Sequence, residues 1–255
     1  MRLLHMVETI PTSEKLYKLI KKVDETPEVL TVMFQPDDGV AMAFDPGMFI
    51  MISGIDSAGK RYVARSFSIA SDPAEAVMEL YIVKKSHAGT SIEHTSHFVE
   101  SKLGDRYYIK GPYGQFRFNP RENKKVLFVA GGTGLAPFIS MLRQIKNTGT
   151  GNDVDLLYSI KYPTEIIRKA ELEGYAKEIG LKTTITVTRP APDDGWSGEK
   201  GHIHEEMIKR HSPDVADRAC YICGPVAFVK AIKEALISLG VKPERISADV
   251  WDTGI

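Results

Sequence analysis

The rhythm of apolar and polar positions changes once along this chain, near residue 120. Before that point, short apolar-rich runs at 16–23, 29–34, 49–53, 64–69, 78–84 and 106–110 read as candidate strands. Turn-forming clusters separate them: Pro36-Asp37-Asp38-Gly39, Asp45-Pro46-Gly47, Ser57-Ala58-Gly59 and Ser71-Asp72-Pro73. Six strands at this spacing predict a small antiparallel Greek-key β-barrel over residues 16–120, interrupted by one helix that starts at Thr95 or Ser96 and runs to Lys102. Residues 1–15 carry no clear pattern and are read as an arm or an extra strand. The polar stretch Asn119-Pro120-Arg121-Glu122-Asn123-Lys124-Lys125 then marks a boundary.

Beyond it, compact apolar runs alternate with helical periodicity. Strands are expected at 126–129, 154–159, 183–188, 219–222 and 245–250, and helices at 137–146, 164–178, 203–210 and 226–238. Strand-helix alternation of this kind predicts a doubly wound parallel sheet occupying residues 121–255. The fold class is therefore two-domain, barrel first and α/β second.

The junction between the first of those strands and its helix carries the strongest chemical signal. Val126-Leu127-Phe128-Val129 reads as a strand covered on both faces. Gly131, Gly132 and Gly134 follow, with no side chain to block approach to backbone N–H groups. Pro137 suits a first helical turn, Phe138, Met141, Leu142 and Ile145 make an apolar face, and Gly149 is a natural stop. A glycine turn feeding a helix N-terminus favours an anion, here a pyrophosphate. The P-loop ending Gly-Lys-Ser/Thr is absent. So are the third glycine of the usual dinucleotide fingerprint and a carboxylate after the next strand, Leu156-Leu157-Tyr158-Ser159.

Composition narrows the picture without adding chemistry. Of 255 residues, 43% are hydrophobic and 26% charged, as in ordinary globular chains. Lys plus Arg and Asp plus Glu number 33 each, so no net field favours nucleic acid or an anionic membrane. With no signal-like segment in Met-Arg-Leu-Leu-His-Met, a cytoplasmic location is expected. The two cysteines, Cys220 and Cys223, form C-x-x-C, but their strand context places the thiols on opposite faces, so neither disulfide nor metal site is expected. His87, His94 and His97 lack a carboxylate or cysteine partner and are read as solvated, leaving no metal site.

Three further segments line up with Gly131-Gly132-Thr133-Gly134-Leu135-Ala136-Pro137. They are Arg65-Ser66-Phe67-Ser68-Ile69-Ala70-Ser71, Gly111-Pro112-Tyr113-Gly114-Gln115-Phe116 and Cys223-Gly224-Pro225. In this order and spacing the chain resembles the ferredoxin–NADP reductase superfamily over residues 16–251, its bacterial ferredoxin- and oxygenase-reductase members above all. The resemblance implies a flavin-binding barrel, an NAD(P)-binding domain, and a flavin ring at their interface.

It also assigns residues. Arg65 is the phosphate fork, Phe67 the flat face for ring stacking where relatives usually have tyrosine, and Ser68, read as sharing that strand face, the hydrogen-bond partner of the reactive nitrogen, with Ser66 between them. Ile82, Val83 and Lys84 flank the flavin's chain and adenine, and Thr95 and Ser96 open a second phosphate cradle, where Glu93 replaces a common glycine. Gly132, Thr133 and Gly134 meet the nicotinamide-side pyrophosphate, and Cys223 with Gly224 and Pro225 sets the nicotinamide against the flavin; the bland alternative is that Cys223 only ends a buried strand. Trp251, with Asp249 nearby, resembles a covering aromatic, a core tryptophan being the alternative. Thr188, Arg189 and Lys200 match residues that hold the 2′-phosphate of NADP, although the Thr-Arg-Pro190 pattern also fits NADH users.

The function implied is a flavoprotein oxidoreductase that takes hydride from NADPH or NADH onto FAD and passes electrons to a separate acceptor, a ferredoxin, an oxygenase component or a small molecule. Two other readings stay open: a free-flavin reductase, and a flavin-binding electron-transfer subunit of a larger complex.

Overall fold

The structure is a computed structural model, which describes residues 10–56, 59–84 and 95–251, Trp251 by its backbone only. Glu93, His87, His94 and the Trp251 side chain lie outside the described residues.

The first sheet has six antiparallel strands: β1 (Ser13–Thr26), β2 (Val29–Pro36), β3 (Phe49–Gly54), β4 (Arg65–Ser68), β5 (Met78–Val83) and β6 (Arg106–Tyr113). Their order is β4-β3-β6-β1-β2-β5, and the Ala70 N–H donating to Glu79 O at 2.9 Å links the two edges into a nearly closed barrel. β1 begins inside the stretch read as an arm, with Ser13 opposite Gly111 of β6. Inward positions such as Leu19, Val32, Phe34, Ile50, Ile52, Leu80 and Ile109 fill the barrel. The interrupting helix, α1 (Ser96–Glu100), is shorter than expected because Ser101 turns extended while its hydroxyl donates to Phe98 O at 2.7 Å.

The second sheet is parallel, in the order β10-β9-β8-β7-β11-β12, from β7 (Lys125–Gly131), β8 (Asp153–Ile160), β9 (Lys182–Val187), β10 (Glu199–Lys200), β11 (Ala219–Pro225) and β12 (Ile246–Trp251). Four helices cover it: α2 (Ala136–Thr148), α3 (Lys169–Glu178), α4 (Glu205–His211) and α5 (Val226–Ser238). α2 has its proline in the first turn and ends on Gly149 at φ 58°, a left-handed cap that glycine adopts without strain. α4 is capped by His204, whose Nδ1 accepts from Met207 N at 3.2 Å, with Glu205 and Glu206 at its positive end and Lys209, Arg210 and His211 at its negative end. The helix expected from 164 starts later, at Lys169, because Arg168 takes a left-handed φ of 54° and breaks the run. β10 went unpredicted; two residues are too short to show a period.

Three apolar clusters result: one inside the barrel and one on each face of the parallel sheet. The cluster facing the barrel is shared, since Ala70, Tyr81, Phe116 and Phe118 pack with Phe128, Phe138, Met141 and Tyr221. Cys220 and Cys223 fall in different clusters, on opposite faces of β11, and both thiols are free. Among the described residues no helix is long and apolar enough to cross a membrane.

Candidate functional site

The C-terminal ends of the parallel strands collect most of the residues singled out in the sequence. Along that edge lie Lys200 on β10, Thr188 and Arg189 after β9, Gly131 to Gly134 after β7, Cys223 to Pro225 on β11, and Asp249 on β12. The chain winds from β7 out to β10, then returns to place β11 on the other side of β7. That reversal opens the crevice in which doubly wound sheets bind ligands.

The glycines there have separate physical jobs. A Cβ on Gly134 would sit 2.4 Å from Cys223 O and 2.7 Å from its carbonyl carbon, so only glycine lets this loop press against the end of β11. Gly224 is equally confined, with Phe228 Cδ1 2.7 Å from its notional Cβ. Gly132 differs: it has φ 56° with nothing within 4 Å, a left-handed residue facing open space. Gly132 to Leu135 form a single 3-10 turn leading into α2, and a phosphate fits this open cradle of backbone N–H groups.

Cys223 is fully buried, and burial, reinforced by the carboxylate of Asp249 across the β11–β12 ladder, pushes its thiol well above the usual range. Asp249 is itself raised, first by burial. Cys220, on the other face, is pushed up to about 12 by burial. Neither sulfur is a thiolate nucleophile. Cys223→Ala is expected to leave folding and flavin content intact while slowing hydride transfer on the order of 10-fold, about 1.4 kcal/mol of transition-state stabilisation. Stopped-flow reduction at wild-type speed would reduce Cys223 to a buried strand end.

On the barrel side, β4 carries the arginine motif. Arg65 pairs with Ile52 and Phe67 with Ile50, both inward positions of β3, whereas Ser66 and Ser68 pair with Met51 and Phe49. Ser68 therefore lies on the face opposite Phe67, not beside it as read from the sequence, because one residue separates them and strand side chains alternate. Phe67 meets Phe98 edge-on, with centroids 5.7 Å apart. Arg65 makes no hydrogen bond or ion pair among the described residues, and its Nε is buried without a partner. A buried, unmatched guanidinium donor is costly unless an acceptor arrives, so Arg65 fits a phosphate.

The remaining barrel candidates are more constrained. Ile82 is packed in the barrel core, so only its backbone is available to a ligand. Lys84 Nζ is engaged by Asp24, and its amide donates to Glu28 O at 2.9 Å. Thr95 stands at the N-cap of α1 as expected but without a side-chain capping hydrogen bond; its hydroxyl donates to Val83 O at 2.7 Å and pins the start of Ser96–Glu100 against the end of β5. His97 stacks on Tyr62 at 4.7 Å, and burial lowers its pKa.

At the β9 end, the Thr188 hydroxyl donates to Ile160 O at 3.2 Å, so it can only accept from a ligand. Arg189 is exposed, and its amide donates to Lys161 O at 2.9 Å. Lys161 went unnoticed in the sequence. It stands directly after β8, where dinucleotide folds often carry a carboxylate, and that position was the available signal. Burial and the neighbouring Arg189 lower its pKa, against Glu165 and Glu28. Lys200 lies opposite Val187 on β10, on the same strand-end edge. A groove of about 760 Å³ between α3, β9 and the Trp196–Glu199 loop lies on the sheet's flank, away from this edge.

The two halves match known families. Residues 16–118 match the family described as an oxidoreductase FAD-binding domain, and residues 128–234 that described as an oxidoreductase NAD-binding domain. The chain is 28% identical over 96% of its length to a glycine betaine monooxygenase reductase subunit from Pseudomonas aeruginosa, covering 66% of that protein. It is 29% identical over 92% of its length to NADH–cytochrome b5 reductase 1 of Arabidopsis thaliana, covering 83%. A solved ferredoxin reductase in carbazole 1,9a-dioxygenase superposes with a TM-score of 0.81 at 26% identity, over 95% of this chain and 70% of that one. The chain spans 60% to 66% of the length of the first reductase-subunit relatives.

Proposed function

Since the chain belongs to the ferredoxin–NADP reductase superfamily, with an FAD-binding barrel ahead of an NAD-binding domain, we propose that it is an NAD(P)H-dependent flavin oxidoreductase that supplies electrons to a separate acceptor. The observation that carries this reading is a shared seam. The helix that starts at the glycine loop, α2, hydrogen-bonds the segment leaving β4, with Ser140 Oγ donating to Ser71 O at 2.6 Å in a buried contact. The phosphate cradle of one domain and the arginine strand of the other are thus parts of one joint.

When bound, a dihydronicotinamide and a flavin would supply the redox chemistry, hydride transfer between their rings followed by electron transfer to the acceptor. The protein's part is to hold and orient. Arg65 binds the flavin phosphates, the amides around Gly132 take the nicotinamide-side pyrophosphate, and Gly134 and Gly224 allow the two strand ends to approach. Cys223 offers a small neutral thiol at the end of β11, against the Gly134 turn. The acceptor proposed is a ferredoxin or an oxygenase component, in keeping with relatives named as a monooxygenase reductase subunit and a dioxygenase ferredoxin reductase. A cytoplasmic setting suits a chain that draws on NAD(P)H. The test is to purify the protein, extract its flavin and titrate it anaerobically with NADH and NADPH. Bleaching of one equivalent of bound flavin supports the proposal; a colourless protein that reduces only added flavin points to a free-flavin reductase instead.

Lys161, Arg189 and Lys200 at the β8, β9 and β10 ends favour a dianionic 2′-phosphate over a ribose hydroxyl, which makes NADPH the preferred donor. Alanine at Arg189 and Lys200 is expected to raise KM for NADPH about 10-fold or more, since a charged hydrogen bond contributes about 1.5–3 kcal/mol, and to change KM for NADH much less. Equal losses with both nucleotides would remove the 2′-phosphate assignment.

A further inference from the structure

The seam between the two sheets carries a buried charge cluster. Glu79 of β5 is 2% exposed and lies between two guanidinium groups. Arg143 of α2 approaches it at 3.2 and 3.4 Å, and Arg168, just ahead of α3, at 2.6 Å. Arg143 is also held by both oxygens of Glu171, at 2.8 and 3.1 Å. Arg168 reaches Tyr81 Oη at 3.2 Å, and its backbone N–H donates to Glu25 Oε1 at 2.8 Å. The barrel thus contributes Glu25, Glu79 and Tyr81, and the parallel-sheet domain Arg143, Arg168 and Glu171.

Two features set this cluster apart from an ordinary ion pair. Arg168 is the one non-glycine residue with positive φ among the described residues. Its left-handed backbone is what aims the amide at Glu25, and such conformations persist where surrounding contacts over-determine them. Apolar residues of similar volume would hold a seam at least as firmly as buried charges, but ion pairs with forked geometry fix direction as well.

The cluster is also connected to both candidate cofactor sites. Arg143 Nη1 donates to Ala70 O at 3.0 Å, beside the bond from Ser140 to Ser71 O. Ala70 and Ser71 lie two and three residues beyond Ser68, and the Ala70 N–H donates to Glu79 O. In the other direction, Arg143 stands on the helix that begins at Ala136, about two turns from the glycine loop. A displacement at Arg143 therefore moves the arginine strand relative to the pyrophosphate cradle.

We propose that Glu79, Arg143 and Arg168 are positioning residues that set the distance and tilt between flavin and nicotinamide, so that their integrity governs hydride transfer more than the binding of either cofactor. The inference rests on the oxidoreductase reading. Its physical basis is that hydride transfer needs reacting atoms about 3–3.5 Å apart, and a misplacement of about 1 Å can cost roughly 100-fold in rate.

The experiment compares Glu79→Gln and Arg143→Lys with the wild-type holoprotein. The first keeps volume and loses charge; the second keeps charge and loses the fork. Stopped-flow flavin bleaching is expected to slow roughly 100-fold, and the long-wavelength charge-transfer absorbance of the flavin–nicotinamide pair to fall, while dissociation constants for flavin and for the oxidised nucleotide change less than about 3-fold. In the cofactor-free chain, hydrogen exchange at the Ala70 amide is expected to rise. Wild-type bleaching and absorbance in variants that only melt earlier would overturn the inference, as would loss of flavin binding in proportion to rate, or unchanged exchange at Ala70. If Glu79→Gln fails to fold, Arg143→Lys decides by the same readouts. A wild-type protein whose flavin neither nucleotide bleaches overturns the oxidoreductase reading itself, and this inference with it.

Discussion

Arg218→Met is expected to lower stability by about 3–5 kcal/mol, the usual loss when one partner is removed from a buried ion pair. Arg218 lies just before β11, its side chain 3% exposed, at the edge of the parallel sheet opposite the glycine loop. It meets Asp214 at 2.6 Å, Asp153 at 2.8 Å and Asp155 at 3.2 Å, and donates to Val126 O and Asp153 O at 3.1 Å. Methionine fills part of the volume but leaves Asp155 buried, with the Ser212 hydroxyl at 2.6 Å and Lys182 at 3.6 Å as its remaining polar partners. The urea midpoint reads the effect, and for a chain of this size the melting temperature falls by roughly 10 °C. A loss under about 1 kcal/mol would show that water or Lys182 already compensates Asp155. The acid limb carries a second signature. Burial raises the Asp214 carboxyl, but Arg218 and Lys125 outweigh it and bring it to about 2, below its ordinary value of 3.8. A folded-state pKa below the unfolded one gives stability that is present above pH ~4 and lost as pH falls toward about 2. Arg218→Met should narrow that window, because one of the two depressing charges is gone while Lys125 remains at 3.0 Å.

Arg65→Ala is expected to weaken flavin binding by about 1.5–3 kcal/mol, roughly 10- to 150-fold in dissociation constant. The same substitution should not destabilise the cofactor-free chain. Arg65 Nε is buried with no partner, so truncation removes an unsatisfied donor and breaks no hydrogen bond among the described residues. These opposite signs separate a ligand-binding arginine from a structural one. Flavin release on dilution, followed by fluorescence, and the melting temperature of the flavin-free protein measure them. Arg65→Lys should fall between, because it keeps the charge but not the fork. Full flavin occupancy after dialysis of Arg65→Ala would remove this strand from the cofactor site.

Much of the architecture was legible along the chain because it is written in local periods. The apolar-rich runs 29–34 and 78–84 marked strands that the structure bounds as Val29–Pro36 and Met78–Val83. The run Val126 to Val129 marked the central strand, and the three-residue spacing of Cys220 and Cys223 was enough to put them on opposite faces of β11. The glycine loop was legible as a motif, but not which glycine does what. Gly134 is fixed by a contact with Cys223, 89 positions away in the chain, and Gly132 by its own φ.

Tertiary structure alone decided the rest, for one physical reason. Periodicity records which face of an element is buried, and says nothing about which element lies across from it. Lys161 gains meaning only because β9 brings Arg189 beside it. Arg143 and Arg168 lie 64 and 89 positions from Glu79, and no local pattern tells these charges from solvated ones. The sequence by itself determined the order of strands and helices and the chemistry available at each strand end; packing of the barrel against the parallel sheet decided which of those charges are buried together, because desolvation arises only when distant segments meet.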